Sequence, residues 1–172
     1  MSSPVKARAD VDLNLLREVR QEVEEFNLEY CRVLDEGRIE EWPNFFTEDP
    51  LYRITGRENF DGGFPLGVMY CDSIGMMKDR AYAIAKTLVF SPRYLRHYIT
   101  NTRIVSVDED GSIESEANYL VLQTQLGEPT IIFQAGRYVD RFVRSSRNGL
   151  LLKERHCVYD STIIDTDLVF PV

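Results

Sequence analysis

The chain is poor in the residues that carry most metal and nucleophilic chemistry: three cysteines and two histidines in 172 positions. Cys31, Cys71 and Cys157 are odd in number and far apart, with no CxxC pair. That spacing supplies neither a disulfide framework nor a zinc knuckle, and buried free thiols are expected. Apolar runs of about 18 residues, the length needed to cross a bilayer, are absent, and the N-terminal MSSPVKARADVD has no apolar h-region. The protein is therefore expected in the cytoplasm. Phosphate-binding Gly-x-x-x-x-Gly-Lys-Ser/Thr, dinucleotide Gly-x-Gly-x-x-Gly and nucleophile-elbow Gly-x-Ser-x-Gly patterns are also missing. Basic residues are the minority, 20 against 28 acidic, and the formal charge of -8 repels nucleic acid and anionic lipid at long range. Neither is an expected partner.

What the chain does have is a core. A hydrophobic fraction of 44% and an aromatic fraction of 11% are those of a folded protein. At this length one domain, residues 1–172, buries about 70% of the surface its unfolded form exposes. Only residues 1–11 read as a flexible N-terminal arm.

The N-terminal half is helical. From Leu13 to Glu36, Leu16, Val19, Val23, Phe26, Tyr30 and Val33 recur at steps of three and four, the period of an amphipathic helix. Asp12 is the expected N-cap and Gly37 the left-handed residue that ends it. A second, shorter helix is expected from Arg38 through IEEWPNFFTED, its aromatic face made by Trp42, Phe45 and Phe46 and its start restricted by Pro43. Asp49-Pro50 closes that unit, and Leu51 to Thr55 reads as a short strand. Four glycines between Gly56 and Gly67 mark a long loop. Asp72 to Lys86 has helical composition with Met76, Met77, Ala81, Ile84 and Ala85 as its apolar stripe, although Gly75 weakens it.

The C-terminal half is strand after strand: 95–107, 115–126, 130–143 and 150–164, with turn signals at Asp108 to Gly111, Gly127 to Pro129 and Asn148-Gly149. Asn-Gly favours the positive φ of a hairpin turn, so Gln134 to Asp160 is one long antiparallel hairpin. Charges punctuate its arms at Arg137, Asp140, Arg141 and Arg144, then at Lys153, Glu154, Arg155 and Asp160. Pairs such as Arg137 with Asp140 read as a solvated, ion-paired face or a partner interface. Helices first and an antiparallel sheet afterwards define an α+β domain in which a strongly curved, mostly antiparallel sheet wraps the N-terminal helices, a helix-filled half-cone.

Few residues offer chemistry. An iron site of two histidines and one carboxylate needs both imidazoles, and His97 and His156 lie in the first and last long strands, outside any ligand-spaced cluster. Two isolated strand histidines, hydrogen-bonded in or near the core, are the plainer reading. For general acid–base work inside the cone the candidates are His97, Tyr98, Tyr52 and Asp79, which no spacing singles out among nine tyrosines. Packed hydroxyls at the core's edge account for them equally.

Four stretches carry a resemblance. They are Phe26 to Trp42 followed by Phe45 to Asp49; the Asp79-Arg80 helix leading to Arg96-His97 and Asn101; Gly136-Arg137-Tyr138-Val139-Asp140; and Arg155 with Asp160. In their order and spacing the chain is similar to the small, or β, subunit of the bacterial aromatic-ring-hydroxylating (Rieske non-haem iron) dioxygenases, with the family's arginine-histidine-hydrophobic-serine-asparagine run appearing as RHYITN. The resemblance implies a fold like nuclear transport factor 2 and a structural role in an oxygenase. It implies a large α subunit that holds the Rieske [2Fe-2S] cluster and a mononuclear Fe(II), three large subunits with three small ones, and reductase or ferredoxin electron donors acting on the complex. For this chain it implies no catalytic, cofactor-binding or metal residues, and no Cys-x-His or Cys-x-x-His motif of a Rieske centre is present. The stretches LDEGRIEEWPNFFTEDPLYRI and NFDGGFPLGVMYCDSIGMMKDR look more like the members acting on aromatic acids such as benzoate, anthranilate, terephthalate or salicylate. The alternatives are a free-standing cone-pocket isomerase or dehydratase and a small-molecule binding module.

Overall fold

A computed structural model of the chain describes residues 13–86, 92–146, 149–161 and 170–172. The expected N-terminal arm, the N-cap at Asp12, Asn148 of the hairpin turn and the end of the last expected strand lie outside the described residues.

Helix α1 spans Leu13–Asp35 and buries Val19, Val23, Asn27, Tyr30, Cys31, Val33 and Leu34. Its last carbonyls are closed by Gly37, at φ +73°, and Arg38, whose N–H groups reach Leu34 and Val33 at 3.1 and 2.9 Å. This is the paired 5→2 and 6→1 bonding that a left-handed glycine permits. The next unit is a 3-10 helix, Ile39–Phe45, rather than an α-helix running on to Asp49. Pro43 inside it cannot donate to an i−4 carbonyl, and the aromatic residue after it already belongs to strand β1, Phe46–Gly56. The strand is thus longer than the five residues expected. It accommodates Pro50 because pairing slips between Phe46 and Leu51, where a residue without an N–H is tolerated.

The glycine-rich segment folds in part. Helix α2, Arg57–Asp61, is a single turn, and strand β2, Met69–Cys71, returns to pair with β1. Helix α3, Ile74–Lys86, starts from Ser73, whose Oγ accepts from the Met76 N–H, and buries Met77, Ala81 and Ile84. Four long strands follow: β3 Arg93–Val107, β4 Ile113–Gln125, β5 Ile131–Ser145 and β6 Gly149–Tyr159.

The six strands form one open sheet in the order β2-β1-β6-β5-β4-β3, antiparallel throughout except where β1 lies parallel to β6. Along β4 buried and less buried residues alternate strictly from Ile113 to Gln123, so one face is core and the other is not. α1 packs against β3 at one edge, and α3 against the 3-10 helix and β1 at the other. The result is the α+β half-cone expected from the sequence, with α1 across its concave face.

Candidate functional site

The concave face is organised around a charge. Arg155 and Asp140 stand opposite one another on β6 and β5, both pointing inward. The guanidinium donates two hydrogen bonds to the carboxylate, Nε to Oδ1 at 2.9 Å and Nη2 to Oδ2 at 2.8 Å, and a third from Nη2 to Asn27 Oδ1 at 2.6 Å. Its plane is held between the rings of Tyr30 and Tyr138, 4.3 and 4.2 Å from their centroids. Arg155 is 0% exposed, and removal from water raises the Asp140 carboxyl above its ordinary value while the guanidinium pulls it back. Guanidinium geometry suits such a site because the fork matches a carboxylate and the flat face stacks on aromatic rings.

Gly136 is part of the same construction. Its register partner is Tyr159, and a Cβ placed there would lie 2.1 Å from the Val158 carbonyl oxygen. Only glycine lets β5 and β6 close at this point, so Gly136, Tyr138 and Asp140 serve one buried assembly. The sequence had grouped Asp140 and Arg155 with the charges of a solvated hairpin face; inward alternation from Gln134 to Phe142 puts them in the core instead. Arg137 faces outward and pairs with Asp61 at 3.3 Å, beside the Phe60 ring, not with Asp140.

Beside the ion pair the cone is filled by the chain itself. Val172 is fully buried, and its main-chain oxygen accepts from Tyr30 and Tyr52 hydroxyls at 3.2 and 3.0 Å while its N–H donates to Tyr52 at 2.9 Å. Trp42, also fully buried, donates Nε1–H to Tyr30 at 3.1 Å and packs edge-on against Phe46 and Tyr52. Burial pushes Tyr30 and Tyr52 above ordinary phenol values and the Cys157 thiol up to about 12. None of these groups is ionised near neutrality.

The residues singled out for acid–base chemistry do not converge. Tyr52 is committed to Val172; Tyr98 is exposed on the outer face; Asp79 is exposed on α3. His97 points inward from β3 with Nδ1 2.6 Å from Asp35 Oδ1, a partner that spacing gave no means to find. His156 faces outward from β6, 3.6 Å from Glu154, so the two histidines occupy opposite faces with β5 and β4 between their strands. They cannot share one iron. The three cysteines are free and buried on α1, β2 and β6, and no cluster of three metal-ligating side chains occurs among the described residues. The donors of this chain do not fit a Rieske centre, which takes two cysteines and two histidines, or a mononuclear iron.

Among the described residues, the exposed apolar side chains include two groups. Phe64, Leu66, Val68 and Tyr70 run along the glycine-rich segment into β2, next to Met76 and Tyr82 on α3. Tyr94, Tyr98, Leu126, Ile131 and Ile132 lie at the far end of β3, β4 and β5. Exposed apolar residues gathered in this way mark protein contact surfaces.

An open half-cone with helices in its concavity and a filled interior places the chain in the nuclear transport factor 2-like class of α+β folds. Residues 30–166 match the family model described as ring hydroxylating beta subunit. The chain is 36% identical over 143 residues to the anthranilate 1,2-dioxygenase small subunit of Burkholderia cepacia, covering 83% of this chain and 88% of that one. It is 33% identical over 147 residues to the terephthalate 1,2-dioxygenase terminal oxygenase component subunit beta 2 of a Comamonas species, covering 86% and 94%. Among solved structures, the β subunit of an aromatic-ring-hydroxylating dioxygenase from Novosphingobium aromaticivorans superimposes with a TM-score of 0.82 at 40% identity, over 92% of this chain and 99% of that chain. The chain belongs to the ring-hydroxylating β subunits, the small subunits of aromatic-ring-hydroxylating dioxygenases.

Proposed function

We propose that the chain supplies structure and no catalytic residue to its oxygenase, assembling with and stabilising a large subunit that carries the Rieske cluster and the mononuclear iron. One observation carries this reading: the concavity in which a cone-shaped enzyme would keep its reacting groups is occupied by the Arg155–Asp140 pair, its two tyrosines and Val172. A free-standing isomerase or dehydratase would need His97, Tyr52, Tyr98 or Asp79 around one pocket, and their separation argues against it. The oxygenase acts in the cytoplasm, and the anthranilate and terephthalate relatives favour an aromatic acid as substrate. Three small subunits stand with three large ones, fed by a reductase or ferredoxin; two separate apolar areas suit a ring in which each small subunit meets more than one neighbour.

The test is expression with and without a large oxygenase subunit. Expressed alone, the chain holds no stoichiometric iron and oxygenates nothing; expressed together, it co-purifies with an iron–sulfur protein of larger mass. Stoichiometric iron on the isolated chain overturns the reading.

A further inference from the structure

The sheet stops at β2. That strand pairs with β1 along one edge, and no strand among the described residues takes the other. An open edge is a row of main-chain donors and acceptors that the extended backbone of another chain can complete. The residues just before β2 continue its line along β1. Gly67 lies so close to β1 that a Cβ would stand 2.7 Å from the Ile54 carbonyl oxygen; the Val68 N–H donates to that oxygen at 2.9 Å, and the Leu66 carbonyl accepts from Thr55 Oγ1 at 2.6 Å. Residues 66–71 are thus held in place by their own chain.

Side chains along this line alternate. Met69 and Cys71 are buried in the core, whereas Phe64, Leu66, Val68 and Tyr70 are 43 to 59% exposed. Apolar residues toward both faces are the pattern of a segment covered on both sides, and here only one side is covered. Past β2 lies a cavity of about 460 Å³, lined by Tyr70 and Cys71 and, from α3, by Met76, Arg80, Ala83 and Ile84. Tyr70 and Cys71 are consecutive and send their side chains to opposite faces, so a space that touches both lies beyond the edge of the strand. Edge strand, apolar groove and flanking helix are the parts that β-strand addition uses: main-chain hydrogen bonds give affinity, and pockets for alternate side chains give specificity.

We propose that the open edge of β2 is the docking site of an extended segment of the large subunit, which adds to the sheet beside β2 and sets apolar side chains, at alternate positions, against Tyr70, Met76 and Ala83. The site rests on the assembling role proposed for the chain and gives that role a place on the surface. A second copy fits the edge less well. Each copy carries a formal charge of -8, which opposes self-association, and antiparallel pairing of β2 with the same strand of another copy is a two-fold contact that joins small subunits in twos and not in threes.

The test compares amide hydrogen exchange of the full chain alone and in the purified complex with a large oxygenase subunit. Segment 66–71 exchanges about tenfold or more slowly in the complex. Tyr70→Glu and Met76→Glu, both at exposed positions, leave the unfolding midpoint of the isolated chain unchanged and weaken the complex about tenfold or more. A segment 66–71 that exchanges alike in both states, protection of β3 in place of β2, protection that grows with the concentration of the isolated chain, or full-strength assembly of both variants each overturns the proposal and leaves the assembling role standing. No complex at all overturns the assembling role, and the docking site with it.

Discussion

The two faces of the sheet use charge in opposite ways. On the concave face one arginine, stacked between two tyrosine rings, is joined to one buried aspartate by two hydrogen bonds. On the convex side ion pairs are half-exposed, as Arg137 with Asp61 at 3.3 Å. Water screens the second kind, and each contributes roughly 0 to 1 kcal/mol. Removing one partner of the first kind strands a charge in the core. The inner face therefore fixes the fold, and the outer face is free to vary for contact with neighbours.

The largest effect is expected where that contrast is sharpest. Asp140→Asn keeps the size but leaves Arg155 uncompensated, and about 3 to 5 kcal/mol of stability is lost in chemical denaturation. Replacing both partners by apolar residues, Arg155→Met with Asp140→Leu, restores most of it; no recovery would mean that the rings, not the charges, set the cost. Trp42→Ala removes a fully buried indole and the hydrogen bond to Tyr30, for about 3 to 5 kcal/mol, and a loss below about 1 kcal/mol would show the ring is not in the core.

Ile132→Ser, on the convex face at 68% exposure, shifts stability by less than about 0.5 kcal/mol while weakening co-purification with the large subunit. A folding defect of core size would erase the distinction between the faces. The smallest effect concerns His156, whose imidazole burial, helped by the nearby Arg53, holds below its ordinary value against the pull of Glu154. A group with a depressed folded pKa contributes stability above the unfolded value that is lost as pH falls through the folded one. The unfolding midpoint in urea should therefore drop on acidification from pH 7.5 to 5, and less steeply in His156→Gln.

Much of the fold was legible because periodicity reports burial directly: α1, the four long strands and the glycine stop at Gly37 stand where the pattern put them. The 3-10 helix and the extension of β1 through Pro50 were not, because a proline at a bulge looks like a terminator when the partner strand is unknown. The site was less legible. Gly136, Tyr138 and Asp140 were visible as family markers, but their purpose appears only when β6 brings Arg155 across from Asp140. In sequence a buried ion pair and a surface one are the same two letters. His97 with Asp35, 62 positions apart, carried no local signal either.

The central claim is that this subunit holds chemistry in place without taking part in it. Turnover per assembled oxygenase, with iron content measured on the same sample, tests it in complexes carrying Tyr52→Phe, Asp79→Asn, Tyr98→Phe or His156→Gln. Each should assemble, keep its iron and turn over at the wild-type rate; a variant that assembles with full iron and loses turnover more than about tenfold would contradict the account.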